Sequence, residues 1–223
     1  MNSKKKKKAG VIGVLDLQGG VCEHLDHLLR LGIDAGRVKQ VSDFHNLAGL
    51  IIPGGESSCM TRLINIFKIR EPLLKAYARG MKIWGTCAGA ILLARHVVGE
   101  DSCLGLIDME IERNSFGSQL DSFQIEARIP QVADDPVPLT FIRAPKIWKT
   151  GKDVKVLLEI DDYIAAAEST NILVTVFHPE LTGSLAFHRY FAVKCGLHPS
   201  VKTEEKIDEQ WNSCSWTRLS RSA

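Results

Sequence analysis

Apolar and polar positions change period several times along this chain, and each change predicts an element. VIGVLDL (residues 11–17) is a nearly unbroken apolar run rich in β-branched residues, the pattern of a strand covered on both faces. QGG interrupts it. From Val21 the spacing lengthens: Val21, Leu25, Leu28 and Leu29 share a helical face, and Gly32 supplies a stop. AGRVKQV (35–41) reads as a short strand, and NLAGLIIP (46–53) as a buried one closed by the turn GGESS. MTRLINIFKIREPLLKAYARG (60–80) has helical spacing with a break predicted near Pro72. KIWG (82–85) is the next strand, and AGAILLARHVV (88–98) its helix.

The second half has a different rhythm. LGLIDMEIERN (104–114), SFQIEARIP (122–130), LTFIRAP (139–145), VKVLLEI (154–160), YIAAAES (163–169) and ILVTVF (172–177) are strand candidates on short connections. A helix candidate, SLAFHRYFAVKCG (184–196), follows. Alternating strands and helices without strict polar alternation predict a three-layer, doubly wound α/β fold. Its sheet is mostly parallel with helices on both faces, and additional antiparallel strands come from the second half.

Composition narrows this picture. Of 223 residues, 45% are hydrophobic and 24% charged, enough for one buried core and against global disorder. Residues 10–198 read as a single domain, residues 1–9 as a disordered lysine-rich tail and residues 199–223 as a polar C-terminal tail. A formal net charge of +2, with no basic stripe interleaved with aromatics, gives no reason to expect a nucleic-acid partner. No run approaches the roughly 20 apolar residues of a membrane span. The six cysteines form no CxxC pair and match no zinc spacing, so neither a metal nor a cofactor is expected. With no secretory signal visible, the expected compartment is the reducing cytoplasm, with free thiols. Lys4 to Lys8 read as a solvated tail; nuclear import through them has no further support.

Ligands of open α/β sheets bind at the carboxyl ends of strands, and three turns fall there: PGGES, GTCAG and FHPEL. Gly85-Thr-Cys-Ala-Gly89 has the form G-x-nucleophile-x-G between a strand and a helix. A turn this sharp strains its central residue, and glycines at −2 and +2 relieve the crowding. Cys87 would then sit at a helix start, where the helix dipole favours an anion. A small buried cysteine in a tight βα turn is the plain alternative. In FHPEL, Pro179 favours extended backbone at His178. Residues i and i+2 of extended backbone point the same way, so Glu180 could orient His178 while His178 acts as base to a thiol. A surface loop would explain H-x-E alone. In Pro53-Gly-Gly-Glu-Ser57 the glycines let backbone N–H groups approach a ligand closely. Gly54 or Gly55, with Ala88 after the nucleophile, could form the oxyanion hole that cysteine acyl transfer needs. An ordinary Gly-Gly turn is the alternative.

PGGES, GTCAG and HPEL, in this order and spacing, resemble the class I, triad-type glutamine amidotransferases. GVLDLQGG…EH, WGTCAGAILLA, ERNSFGSQLDSF, FIRAP and FHPEL resemble, more narrowly, the branch of glutaminase subunits of pyridoxal 5′-phosphate synthase. The resemblance runs from about residue 11 to 195 and implies a flavodoxin-like sheet. It implies a catalytic triad of Cys87, His178 and Glu180. It further implies glutamine held by Gly55, Glu56, Ser57, Arg113, Ile142 and Arg143. The chemistry fits, because glutamine's α-ammonium and α-carboxylate call for an acidic and a guanidinium partner. The implied reaction is attack of Cys87 on the side-chain amide, release of ammonia, and hydrolysis of a γ-glutamyl thioester. The implied partner is a (β/α)₈-barrel synthase subunit in a large ring-shaped complex, which receives the ammonia and activates the glutaminase by docking. Asp16 departs from the branch, which more often has a small residue there, and so bears on docking or on a partner lysine. Ser58 and Cys59 depart mildly. Cys22, Cys59, Cys103, Cys195 and Cys214 lack the elbow and read as structural or incidental. A glutaminase or γ-glutamyl hydrolase serving another acceptor, and a non-catalytic redox or scaffold module, remain open at this stage.

Overall fold

A computed structural model describes residues 10–113 and 122–200. The lysine run, most of RNSFGSQLD and nearly all of the C-terminal tail lie outside these residues. The first half alternates as its periodicity predicts: β1 (Val11–Leu15), α1 (Val21–Arg30), β2 (Ala35–Val38), β3 (Leu47–Ile52), α2 (Ser57–Ile66), α3 (Arg70–Ala78), β4 (Lys82–Thr86) and α4 (Ala88–Leu93). A 3-10 turn at Val41–Phe44 joins β2 to β3. Then come β5 (Ala94–Val97), β6 (Ile107–Glu112), β7 (Ser122–Ala127), β8 (Val137–Ile142), β9 (Lys146–Thr150), β10 (Lys155–Ile160), β11 (Tyr163–Glu168), β12 (Ile172–Thr175) and α5 (Ala186–Lys194).

Three local expectations are corrected. The helix of residues 60–80 breaks at Lys68 (φ +53°), and Pro72 instead sits in the first turn of α3, where a missing N–H does no harm. The run after Cys87 is helical only to Leu93; Ala94 turns extended (ψ 141°) and leads into β5. Residues 146–150, read as a connection, form β9 between β6 and β11.

The main sheet runs β2-β1-β3-β4-β12-β11-β9-β6-β5, with β10 paired to β11; β7 and β8 form a separate hairpin. The segment β2-β1-β3-β4-β12 is parallel throughout, in the order of a flavodoxin-like doubly wound sheet. The later strands add antiparallel pairs at β12-β11, β11-β9 and β9-β6. Helices pack in two groups, α1 with α5 and α2 with α4. The parallel strands bury continuous apolar runs: Leu50, Ile51 and Ile52 of β3, Ile83 and Trp84 of β4, and Leu173 and Val174 of β12 are fully buried. β4 pairs with β3 on one side and with β12 on the other. The turns after these three adjacent strands are PGGES, GTCAG and FHPEL. The switch in strand order falls between β1 and β3, which puts QGG beside PGGES at the same sheet edge.

Candidate active site

β4 ends at Thr86 and α4 begins at Ala88, leaving Cys87 alone on the corner. Its N–H still donates to Thr175 O at 2.8 Å, one more rung toward β12, while its carbonyl accepts from Ala90 N–H at 3.0 Å. To serve both, the backbone takes φ +47° and ψ −106°, a region L-residues rarely adopt. The glycines make the corner possible. A Cβ on Gly85 would lie 2.6 Å from the carbonyl of Gly89, and one on Gly89 would lie 2.0 Å from Ile52 O.

His178 arrives from the end of β12, anchored by donation of its N–H to Thr140 O at 2.8 Å. Glu180 reaches it by a route other than the expected strand alternation. Pro179–Leu181 form a 3-10 turn that folds the carboxylate back, and His178 Nδ1 donates to Glu180 Oε1 at 2.8 Å. Cys87 lies close enough on its other side for its charge to act on the imidazole. Burial disfavours a charged His178, yet the charges of Cys87 and Glu180 and the hydrogen bond to Glu180 outweigh it and hold the imidazole well above the usual histidine range. Glu180 is fully buried, which alone would raise its carboxyl; His24 and His178 overcome that and bring it down to about 2. At Gly54 a Cβ would lie 2.3 Å from His178 Cε1 and 3.3 Å from Cys87 Cβ, so bare backbone is pressed against both groups.

These side chains line a cavity of about 430 Å³. The same cavity is lined by Gly54, Gly55, Glu56, Ser57, Ala88, Arg113, Ile142 and Arg143, so every residue expected to act in catalysis, glutamine binding or the oxyanion hole lines it. Arg143 holds φ +44°, a second strained position on the wall. Glu56 and Arg113 are paired with each other through Glu56 Oε1, and Arg113 Nη1 also grips Glu100 at 2.7 and 2.9 Å. The Ser58 hydroxyl donates to Glu56 at 3.1 Å. Sequence reasoning missed Gln18 and Glu100. Gln18 follows β1, and its Oε1 accepts the Glu56 N–H at 2.8 Å, fixing the PGGES turn; the QGG punctuation at the strand-order switch was the available signal. Glu100 had none. Asp16 pairs with Arg37 at 2.9 Å and Lys39 at 3.3 Å of its own chain. Among the described residues no cluster of His, Cys, Asp and Glu could hold a metal, and no helix is long and apolar enough to cross a membrane.

A strained cysteine elbow facing a His–Glu pair, on the carboxyl edge of the parallel β2-β1-β3-β4-β12 segment, defines an α/β fold of the glutamine amidotransferase class. A solved structure described as a glutamine amidotransferase superposes with a TM-score of 0.79 at 38% identity, covering 84% of this chain and 100% of that one. The family model "SNO glutamine amidotransferase family" matches residues 14–197, and the chain belongs to that family. Its relatives include pyridoxal 5′-phosphate synthase subunit PdxT of Syntrophus aciditrophicus (strain SB), 60% identical over 217 residues and covering 97% of each chain. The protein of the same name from Clostridium botulinum (strain Loch Maree / Type A3) is 45% identical over 185 residues, covering 82% of this chain and 96% of its own.

Proposed function

We propose that this chain is the glutaminase subunit of a pyridoxal 5′-phosphate synthase, with residues 10–198 acting as one glutaminase domain. It hydrolyses L-glutamine to L-glutamate and ammonia. The observation that carries the reading is His178, hydrogen-bonded to Glu180 and within reach of the charge of Cys87, in a cavity that all three line together with an acidic and a guanidinium group.

The chemistry follows from these positions. Glutamine enters with its α-ammonium toward Glu56 and its α-carboxylate toward Arg113, replacing their mutual ion pair. Gly55, Ser57, Ile142 and Arg143 form the rest of its seat. His178 takes the Cys87 proton, and the thiolate attacks the side-chain carbonyl carbon. Negative charge gathers on the amide oxygen, where N–H groups of Gly54 or Gly55 and Ala88 receive it. His178 returns the proton to the leaving nitrogen, ammonia departs and a γ-glutamyl thioester remains. Water, deprotonated by His178, then releases glutamate. Glu180 holds the Nδ1 proton throughout, keeping Nε2 available for transfer.

The ammonia passes to a (β/α)₈-barrel synthase subunit in a ring-shaped complex, where it becomes the nitrogen of pyridoxal 5′-phosphate. The cytoplasm is the compartment this reading assigns, since Cys87 stays reduced there. Acid quenching during turnover with the cognate synthase subunit, followed by intact mass spectrometry, tests the chemistry. A chain heavier by one glutamyl group, lost in Cys87→Ser, is expected. Steady turnover with no Cys87-dependent adduct at any quench time, and an unimpaired Cys87→Ser enzyme, would refute it. For the partner, pyridoxal 5′-phosphate must form with glutamine as nitrogen source only when this chain is added to that subunit.

A further inference from the structure

Behind the His178–Glu180 pair lie three histidines that the reaction above does not use. His24 and His27 come from α1 and His188 from α5, and all three are fully buried. His24 Nε2 faces Glu180 Oε2, the carboxylate oxygen turned away from His178, at 3.5 Å. Neither atom has a hydrogen bond among the described residues. On its other side, His24 Nδ1 lies 2.8 Å from His188 Nε2. Trp84 packs edge-on against both rings, at centroid distances of 5.5 and 4.9 Å, so neither can swing away. His27 ties α1 to the turn carrying Glu180, its Nε2 lying 3.1 Å from Thr182 O and its Nδ1 2.9 Å from Glu23 O.

One proton must lie between His24 and His188, and its source decides the rest. If His24 Nδ1 donates, its Nε2 turns a lone pair toward the carboxylate, and His188 keeps an N–H at Nδ1 that meets no acceptor. If His188 Nε2 donates, His24 carries its proton on Nε2, directed at Glu180. The atom then left over is the His188 Nδ1 lone pair. An unmet buried N–H beside a repulsive lone-pair contact is the worse arrangement, so the second prevails. Both rings stay neutral, because burial pushes His24 down to about 4 and His188 well below the usual range.

We propose that His24 is a positioning residue for the glutaminase reaction: it donates its Nε2 proton to the outer oxygen of Glu180 and thereby keeps the inner oxygen aimed at His178. The contact is long in the unliganded site, as such contacts often are, and shortens when substrate binds. His188 sets the His24 tautomer. This inference rests on the Cys87–His178–Glu180 reading, and its tests separate the two.

The first test needs no substitution. ¹⁵N shifts of His24 in the histidine-labelled, wild-type chain near neutral pH read the tautomer, which must be protonated at Nε2 and bare at Nδ1; the reverse overturns the proposal. The second compares His24→Leu, which removes the donor, with His24→Gln, whose amide nitrogen can reach the same oxygen. In complex with the cognate synthase subunit, His24→Leu is expected to lower kcat by about 10- to 100-fold with KM changed less than about twofold. His24→Gln is expected to recover most of that loss. Wild-type kcat in His24→Leu, or an equal loss in both variants, overturns the proposal. Should His24→Leu fail to fold, the wild-type tautomer and the kcat of His24→Gln still decide. Cys87→Ala, assayed alongside, must be inactive; if it is not, the triad reading fails, whatever His24 does.

Discussion

Cys87 carries a side chain at φ +47°, where glycine would sit without strain. The strain is local, so it is measurable. Cys87→Gly should exceed Cys87→Ala in stability by about 1 kcal/mol in urea unfolding, because only alanine keeps the Cβ penalty; equal stability would remove the strain from the account. Arg113 makes a second prediction. It is held by Glu56 and Glu100 and is poised to meet an α-carboxylate. Arg113→Gln should raise KM for glutamine about 10-fold or more while kcat changes less, as loss of a charge-assisted bond of about 1.5–3 kcal/mol requires; steady-state kinetics with the synthase subunit checks it. At this scale the sequence was readable wherever chemistry demands close spacing. The nucleophile on so sharp a turn needs its flanking glycines, and in this chain the base has its orienter two residues on. Glu100 was not readable, since an ion pair between a turn and the end of β6 leaves no local pattern.

Among the elements, the β4–α4 corner is the tightest. Gly89 has Ile52 O where a Cβ would go, only 2.0 Å away, and that atom is backbone at the end of β3. Gly89→Ala should therefore destabilise the fold by about 3 kcal/mol or more, or prevent folding, as thermal unfolding would show. An unchanged melting temperature would mean that β3 can yield. The elements that periodicity misjudged are short. Residues 94–97 (ARHV) follow an apolar helical run with no stop signal between them, and helix and strand cannot be told apart over so few positions. The strand appears because β6 offers an edge to pair with, a fact about the fold. β9 has charged Lys146 and Lys149 around Ile147 and Trp148, and is ordered by β6 and β11 on its two sides. Glu180 joins His178 through a 3-10 turn, which the two-residue spacing also permits.

Across the whole molecule, strand order does what the linear sequence cannot display. β4 pairs with β12, and this alone brings Cys87 to His178. Three strand-end motifs were enough to see that a site exists; that α1 and α5 wedge buried histidines behind it came only from the packing. Those histidines set a pH dependence. Burial holds His24 at about 4 and His188 well below its usual range, so the unfolded chain takes up their protons first as pH falls below 6.5. Their contribution is present above pH 6.5 and is lost as pH falls toward 4. Glu180, held at about 2 against a usual 4.5, loses its contribution lower still, as pH falls through that range. His178 acts oppositely: raised in the fold, it stabilises below 6.5 and loses that effect as pH rises through its folded value. Urea unfolding should thus give a lower stability near pH 5 than near pH 7, with His24 alone supplying about 2 kcal/mol of the difference. Equal stabilities would mean that these rings are not buried neutral.

The central claim is that Cys87, served by His178 and Glu180, hydrolyses glutamine. Its most direct test is to count glutamate and ammonia released from L-glutamine by the purified chain with its cognate synthase subunit, beside Cys87→Ala in the same complex. Equal amounts of the two products from wild type and none above background from Cys87→Ala are predicted; release by Cys87→Ala at the wild-type rate would contradict the account.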